Sequence, residues 1–274
     1  MLYYLNKGDF VKNKFTIDNF LSVSKKALEF QLNELYPLEV VKDNERVNLL
    51  FLNHDRNFST FITIRYLAEN KRVADIYTLS RSMFESIISM GLLAGKLIPN
   101  DIERYQDFQY IEIYKTHNHL KRLGLENLSG TSKNEEAYVS KKRADYIKKW
   151  GNSNLSWTGQ SLEKNAKEVD NIYPKTCDEN HFYEYLYCQV YRKGSQSAHS
   201  SFAGLSKGVN IEIIKSMKNS SFLRFRENEA HLIFTCFHSI IVFLSSVRFL
   251  GHIIGKHECE KYFQSIASYI ISEP

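Results

Sequence analysis

The stretch that decides the fold runs from Ala74 to Gly95 and reads ADIYTLSRSMFESIISMGLLAG. It is apolar on most of a helical circumference, and a helix of that kind belongs in a core. The spacing predicts a long, largely buried helix from Val73 to Leu97. It ends at the Ile98-Pro99 step, because the residue before proline avoids the α region. Two charges interrupt it, Arg81 and Glu85. At i and i+4 they share a face with Ile88 and Leu92 and can bond to each other. Buried ions are costly unless paired, so such a pair reads either as a structural clamp or as a site opening to solvent.

Working outward, apolar spacing is helical nearly throughout. Upstream, Asp18 to Tyr36 carries Phe20, Leu21, Leu28, Leu32 and Leu35, and Pro37 closes it. Asn44 to Glu69 repeats the pattern with Val47, Leu50, Phe51, Phe58, Phe61, Ile62 and Tyr66. Downstream, Asp101 to Leu123 is more polar and stops near Gly124. Further helices are expected at about Ser161 to Asn171, Asn180 to Ser200, Asn228 to Ile254 and Glu258 to Ser272. Between them lies a stretch rich in Lys, Glu, Asn and Ser that includes KKRADYIKK from Lys141. It reads as a polar excursion over 129–156 with one solvated helix, although its lysines could also form a nucleic-acid patch. No internal repeat or Gly/Ser linker appears. The expectation is an all-α fold, a single domain over 1–274, built as a bundle of roughly eight to ten helices.

Composition agrees. The chain has 274 residues, 43% of them hydrophobic, enough for a sizeable core. Its Gly 12 and Pro 4 are too few for the closely spaced turns of a sandwich, barrel or propeller. An aromatic content of 14% excludes low-complexity and disordered classes. A net charge of +5 permits a polyanionic partner without demanding one. The N-terminus MLYYLNKGDFVKNKF has no apolar signal-peptide region. The four cysteines, Cys177, Cys188, Cys236 and Cys259, share no C-x-x-C spacing and read as reduced packing residues. The apolar run His231 to Ile254 is long enough to consider as a membrane span. Its internal His238, and Arg248 and His252 near the end, favour a core helix. The expected setting is cytoplasmic, without membrane.

A second concentration of polar residues begins at His181, in HFYEYLYCQVYRKGSQSAHSSFAGL. Phe182, Tyr183, Tyr185, Tyr187 and Tyr191 look like helix core with polar handles. If the helix continues, Arg192 and His199 point the same way, two turns apart. Ser195 lies between them, in a row with Tyr191 and His199. Gly194 weakens a helix by about 1 kcal/mol relative to alanine, which suggests a kink or a close approach by another backbone. Arginine holds a phosphate bidentately, and histidine exchanges a proton near neutral pH. Together they can bind a phosphodiester and move a proton without a metal. The alternative is structural: Arg192 pairs with a carboxylate such as Glu85, and His199 bonds a buried hydroxyl.

LSRSMFES of the third helix with Arg81 and Glu85, the isolated Trp157 and the YRKGSQSAHSS segment together resemble the domain-of-unknown-function 5677 family, over roughly Asn44 to Leu205. The Arg192 to His199 segment is also similar to the R-x4-6-H signature of the higher eukaryotes and prokaryotes nucleotide-binding (HEPN) superfamily. That is an all-α group with many metal-independent ribonucleases of toxin and phage-defence systems. The spacing here is at the long limit of that signature, and Lys193 follows the arginine. This resemblance implies an HEPN-like core with additional helices, and a homodimer joining two Arg/His sets in one cleft to cut RNA, as a metal-independent endoribonuclease or, without cleavage, an RNA-binding protein. His199 would serve proton transfer and Arg192 would stabilise the charged transition state.

Carried into the structure, the expected site is Arg192, His199 and Ser195 as catalytic residues, with Arg81, Glu85, Tyr191 and Lys193 as substrate-binding or supporting residues. The expected partner is RNA or another phosphate-bearing ligand, with a protein partner as an addition. No cofactor is expected. None of the nine histidines falls in a metal-binding pattern, and no phosphate-binding glycine loop or G-x-S-x-G is present. The competing expectation is a non-enzymatic helical interaction protein in which the same residues form a buried polar network.

Overall fold

The computed structural model describes residues 16–35, 44–96, 98, 100–125, 132–151, 156–174, 176, 180–198 and 229–272. In chain order the helices are α1 (Ile17–Glu34), α2 (Glu45–Glu69), α3 (Val73–Gly95), α4 (Asp101–Arg122), α5 (Lys133–Trp150) and α6 (Leu162–Ile172). They continue as α7 (Phe182–Leu186), a π-helical turn (Tyr187–Arg192), α8 (Lys193–Ala198), α9 (Glu229–Ile253) and α10 (His257–Ser272). Among the described residues there is no β-strand, so the fold is an all-α multi-helix bundle. Two compact units emerge, one drawn from 1–95 and 166–274, the other from 96–165.

The first unit is organised around α9, which packs against α1, α2, α3 and α10. Its stretch His231–Ile253 is long and apolar enough to cross a membrane, with a mean hydropathy of 1.8, yet 89% of that window is buried inside the protein. It is the core helix that its sequence suggests. Phe243 of α9 stacks on Phe61 of α2 with centroids 4.4 Å apart. Phe20 of α1 meets Phe61 and Phe237 edge-on at 6.5 and 6.2 Å. Burying one such ring contributes roughly 1.5–3 kcal/mol. Thr16 caps α1 by accepting the Asn19 N–H at 3.1 Å, and Asn44 caps α2 by accepting that of Val47 at 3.2 Å. The third helix stops at Gly95, ahead of the Ile98-Pro99 step. Lys96 takes a left-handed φ of 55°, which a helix cannot continue.

The core also holds polar groups. His54 is fully buried, and its Nδ1–H donates to Ser246 Oγ at 2.9 Å; the serine hydroxyl in turn donates to the Phe243 carbonyl at 2.6 Å. Arg248, 4% exposed, donates from Nε to Glu260 at 2.6 Å and from Nη1 to Thr176 and Tyr183 hydroxyls at 2.9 and 3.1 Å. The rings of Tyr173 and Phe263 flank its guanidinium at 4.9 and 4.8 Å. A buried cation is tolerable when every face is answered in this way.

The second unit contains α4 and α5. Trp157 meets Tyr105 edge-on at 5.4 Å, and its carbonyl accepts the Tyr146 hydroxyl at 3.2 Å. The polar stretch foreseen at 129–156 supplies α5. Ser132 and Glu135 form a capping box at its start, and Tyr146 is its buried residue. Lys142 lies 5.7 Å from the Tyr110 ring and Lys149 pairs with Glu103 at 2.5 Å.

Candidate functional site

The site is built on one helical path running from Phe182 to Ala198. Asp170 of α6 caps its start by accepting the N–H groups of Tyr183 and Glu184 at 2.8 and 3.0 Å. Burial pushes the Asp170 carboxyl up, against the pull of those two bonds. The path then takes a π turn over Tyr187–Arg192 and resumes as α8. It lies against α3, with Tyr187 near Phe84, Tyr191 near Arg81, and Gly194 on Tyr77. These pairs advance in opposite sequence directions, so the two segments run antiparallel. Gly194 is a point of close approach: a Cβ there would sit 2.6 Å from the Tyr77 carbonyl oxygen.

On the side facing α3, Arg81 pairs with Glu85 at 3.0 Å and lies 5.0 Å over the Tyr191 ring. Tyr191 stacks on Tyr187 at 5.3 Å. Arg81 is one-quarter exposed and Glu85 nearly half, so the pair sits at the edge of the core. Such a cation held by a carboxylate and a ring face fixes the lateral register of the two segments.

On the side facing α9, the Tyr185 hydroxyl donates to His238 Nε2 at 2.9 Å, and His238 Nδ1–H donates to the Phe234 carbonyl at 2.7 Å. Burial, reinforced by the Lys193 ammonium, lowers His238 to about 4. Lys193 rests 4.3 Å over the Phe234 ring, and burial lowers its ammonium below the ordinary value. His238 was expected only as an interruption of an apolar run. Its tyrosine partner lies 53 positions away, which no local pattern shows. The Arg248 network was missed for the same reason.

Arg192 is exposed at the end of the π turn and pairs with no described carboxylate; it does not bond Glu85, which Arg81 occupies. Ser195 is half-buried. Its Oγ, like that of Ser197, is buried with no hydrogen-bond partner among the described residues. Arg192 and Ser195 therefore differ in solvent access despite their shared helical segment. His199 lies outside the described residues. Cys188 is an exposed free thiol, whereas Cys236 and Cys259 are buried free thiols; Cys177 lies outside the described residues. Among the described residues, no three His, Cys, Asp or Glu side chains are grouped to hold a metal ion.

The profile of a family of unknown function (DUF5677) matches residues 47–212, more than half of the chain. That span takes in α3, the π turn and α8. No curated protein and no solved structure matches the chain.

Proposed function

The chain belongs to the DUF5677 family, and from that premise we propose that it recognises RNA and cleaves it without a metal, through Arg192 and His199. The observation that carries this reading is the Arg192 guanidinium. It stands in solvent, pairs with no described carboxylate, and ends a π turn, a distortion frequent at functional sites. A guanidinium so placed can take two phosphate oxygens at once. His199, seven residues on, removes the ribose 2′-hydroxyl proton while that oxygen attacks phosphorus. The P–O5′ bond breaks, and the proton returns to the departing 5′-oxygen. Arg192 stabilises the charge that develops on the phosphorane-like transition state. The similarity of R-x6-H to the HEPN signature supports this assignment, and with it an HEPN-like core, a homodimer with two Arg192/His199 sets in one cleft, and a cytoplasmic toxin or phage-defence role, with a protein partner to restrain it. In this reading Ser195, Tyr191 and Lys193 shape the segment, and Arg81 and Glu85 brace it from α3.

The test is incubation with RNA in chelator. Wild type should yield fragments, and His199→Ala and Arg192→Ala should not. Identical RNA profiles for wild type and His199→Ala at high protein concentration would remove the nuclease reading.

A second reading has its own observation. Arg81 is bound on two sides by Glu85 and Tyr191, and the Ser195 hydroxyl is sealed from solvent. In a non-enzymatic interaction protein these residues only hold helices in register. That reading expects His199→Ala to lower the melting temperature with no change in any RNA profile, whereas a catalytic His199 contributes little to stability.

A further inference from the structure

The second unit contains a groove between α4 and α5 with a volume of about 530 Å³, within the size range of small-molecule sites. Four cations line it: Lys115, Lys121 and Arg122 from α4, and Arg143 from α5. None of its described lining residues is a carboxylate. Lys115 and Arg122 are two turns apart on one face, about 10 Å along the axis. Lys115 and Lys121 are partly answered from outside the groove, by Glu112 at 2.8 Å and Glu136 at 3.6 Å. Arg122 and Arg143 have no described carboxylate partner.

Lys121 and Arg122 have an ordinary explanation as well. They stand in the last turn of α4, where cations answer the helix dipole for about 0.3–1 kcal/mol. Arg143 does not. It lies in the middle of α5, and its guanidinium covers the Tyr114 ring at 4.3 Å. Resting over that ring, the planar fork is partly ordered in advance and loses less freedom when an anion arrives. The amide of Asn118, also in the lining, adds a neutral donor. Four cations in a lining that holds no described carboxylate, one of them over an aromatic ring, are the arrangement an anion needs.

We propose that this groove binds a phosphate group, carried by a free phosphate ester or by a polynucleotide strand. Arg143 and Arg122 take its oxygens, while Lys115 and Lys121 supply the surrounding positive field. The site stands whether or not the chain cleaves RNA, since it uses neither Arg192 nor His199.

The test uses the full chain in chelator at low salt. Inorganic pyrophosphate is titrated calorimetrically, and a labelled oligouridylate is followed by fluorescence anisotropy. Arg143→Gln and Arg122→Gln should each weaken binding about tenfold, as loss of a charge-assisted contact does. Arg143→Lys, which keeps the charge but not the fork, should fall between them and wild type. Lys164→Gln, an exposed lysine elsewhere in this unit, should change nothing. Binding should weaken as salt rises. Tight pyrophosphate with weak oligonucleotide identifies a free ester as ligand; oligonucleotide binding displaced by pyrophosphate identifies a strand. Absence of saturable binding by both probes, or affinities unchanged in both glutamine variants, overturns the site. Should Arg143→Gln lose its helical circular dichroism, Arg122→Gln, at an exposed helix end, decides. His199→Ala should bind both probes like wild type, so failure of the nuclease reading leaves this result intact.

Discussion

Gly194 of α8 rests on the backbone of Tyr77 in α3, so closely that a Cβ there would lie 2.6 Å from the Tyr77 carbonyl oxygen and 2.7 Å from Arg81 Cβ. Two effects compete in Gly194→Ala. Helix propensity favours alanine by about 1 kcal/mol. Overpacking against backbone, which cannot rotate away, costs about 1–3 kcal/mol. Packing should win. Thermal unfolding should show a lower melting temperature for Gly194→Ala, and a rise would mean that α8 is free to shift off α3.

Helix positions were legible because their causes are local. The apolar period and the asparagine before α2 place that helix at Glu45–Glu69, against an expectation of Asn44 to Glu69. The i, i+4 spacing of Arg81 and Glu85 likewise foretold a contact that the structure has at 3.0 Å. The π turn was not legible. It is set by how Tyr187, Tyr191 and Gly194 dock on α3, more than 90 positions earlier, and no residue in YCQVYR announces it. Arg248 read as a charge closing an apolar run, because Thr176, Tyr183 and Glu260 reach it only through the fold. Of the groove cations only Arg143 was visible in KKRADYIKK, and only the packing of α5 on α4 separates it, on Tyr114, from Lys142, on Tyr110.

Arg248 should make Glu260 matter for stability. The carboxylate is two-fifths exposed while the guanidinium is 4% exposed, so Glu260→Gln removes the counter-charge and leaves the buried cation with a neutral amide oxygen, hydroxyls and rings. A hydrogen bond to a charged group contributes roughly 1.5–3 kcal/mol, and partial exposure of Glu260 places this one at the lower end. Urea denaturation should show a loss of about that size for Glu260→Gln. Thr176→Val, which removes one neutral acceptor, should lose less. Equal stability of Glu260→Gln and wild type would mean that water reaches the guanidinium.

Arg81 and Tyr191 should couple. In a double-mutant cycle with Arg81→Met and Tyr191→Leu, the interaction energy should be about 0.5–1 kcal/mol, as for a cation over a ring at a partly exposed site. Glu85→Gln should reduce that coupling only slightly, because half of the carboxylate faces water. Strict additivity would show that the ring and the guanidinium are neighbours without interaction.

Two buried histidines give the fold an acid limit above that of its carboxylates. Burial holds both His54 and His238 at about 4, below the ordinary 6.5 they regain on unfolding. A depressed histidine contributes stability that is complete above the unfolded value, because the unfolded chain then binds no extra proton. Between about 6.5 and 4 the unfolded state takes up protons that the folded state refuses, so stability falls with pH. Each site accounts for a loss on the order of 3 kcal/mol by the bottom of that window. Denaturation midpoints measured at about pH 7, 5.5 and 4.5 should therefore decline in wild type. His54→Asn keeps a donor for Ser246 without a titrating ring, and its decline should be shallower, whatever its stability at neutral pH. Both proteins carry the same carboxylates, so the difference between the two declines reports the His54 ring. Parallel declines would mean that protons reach the His54 imidazole in the folded state.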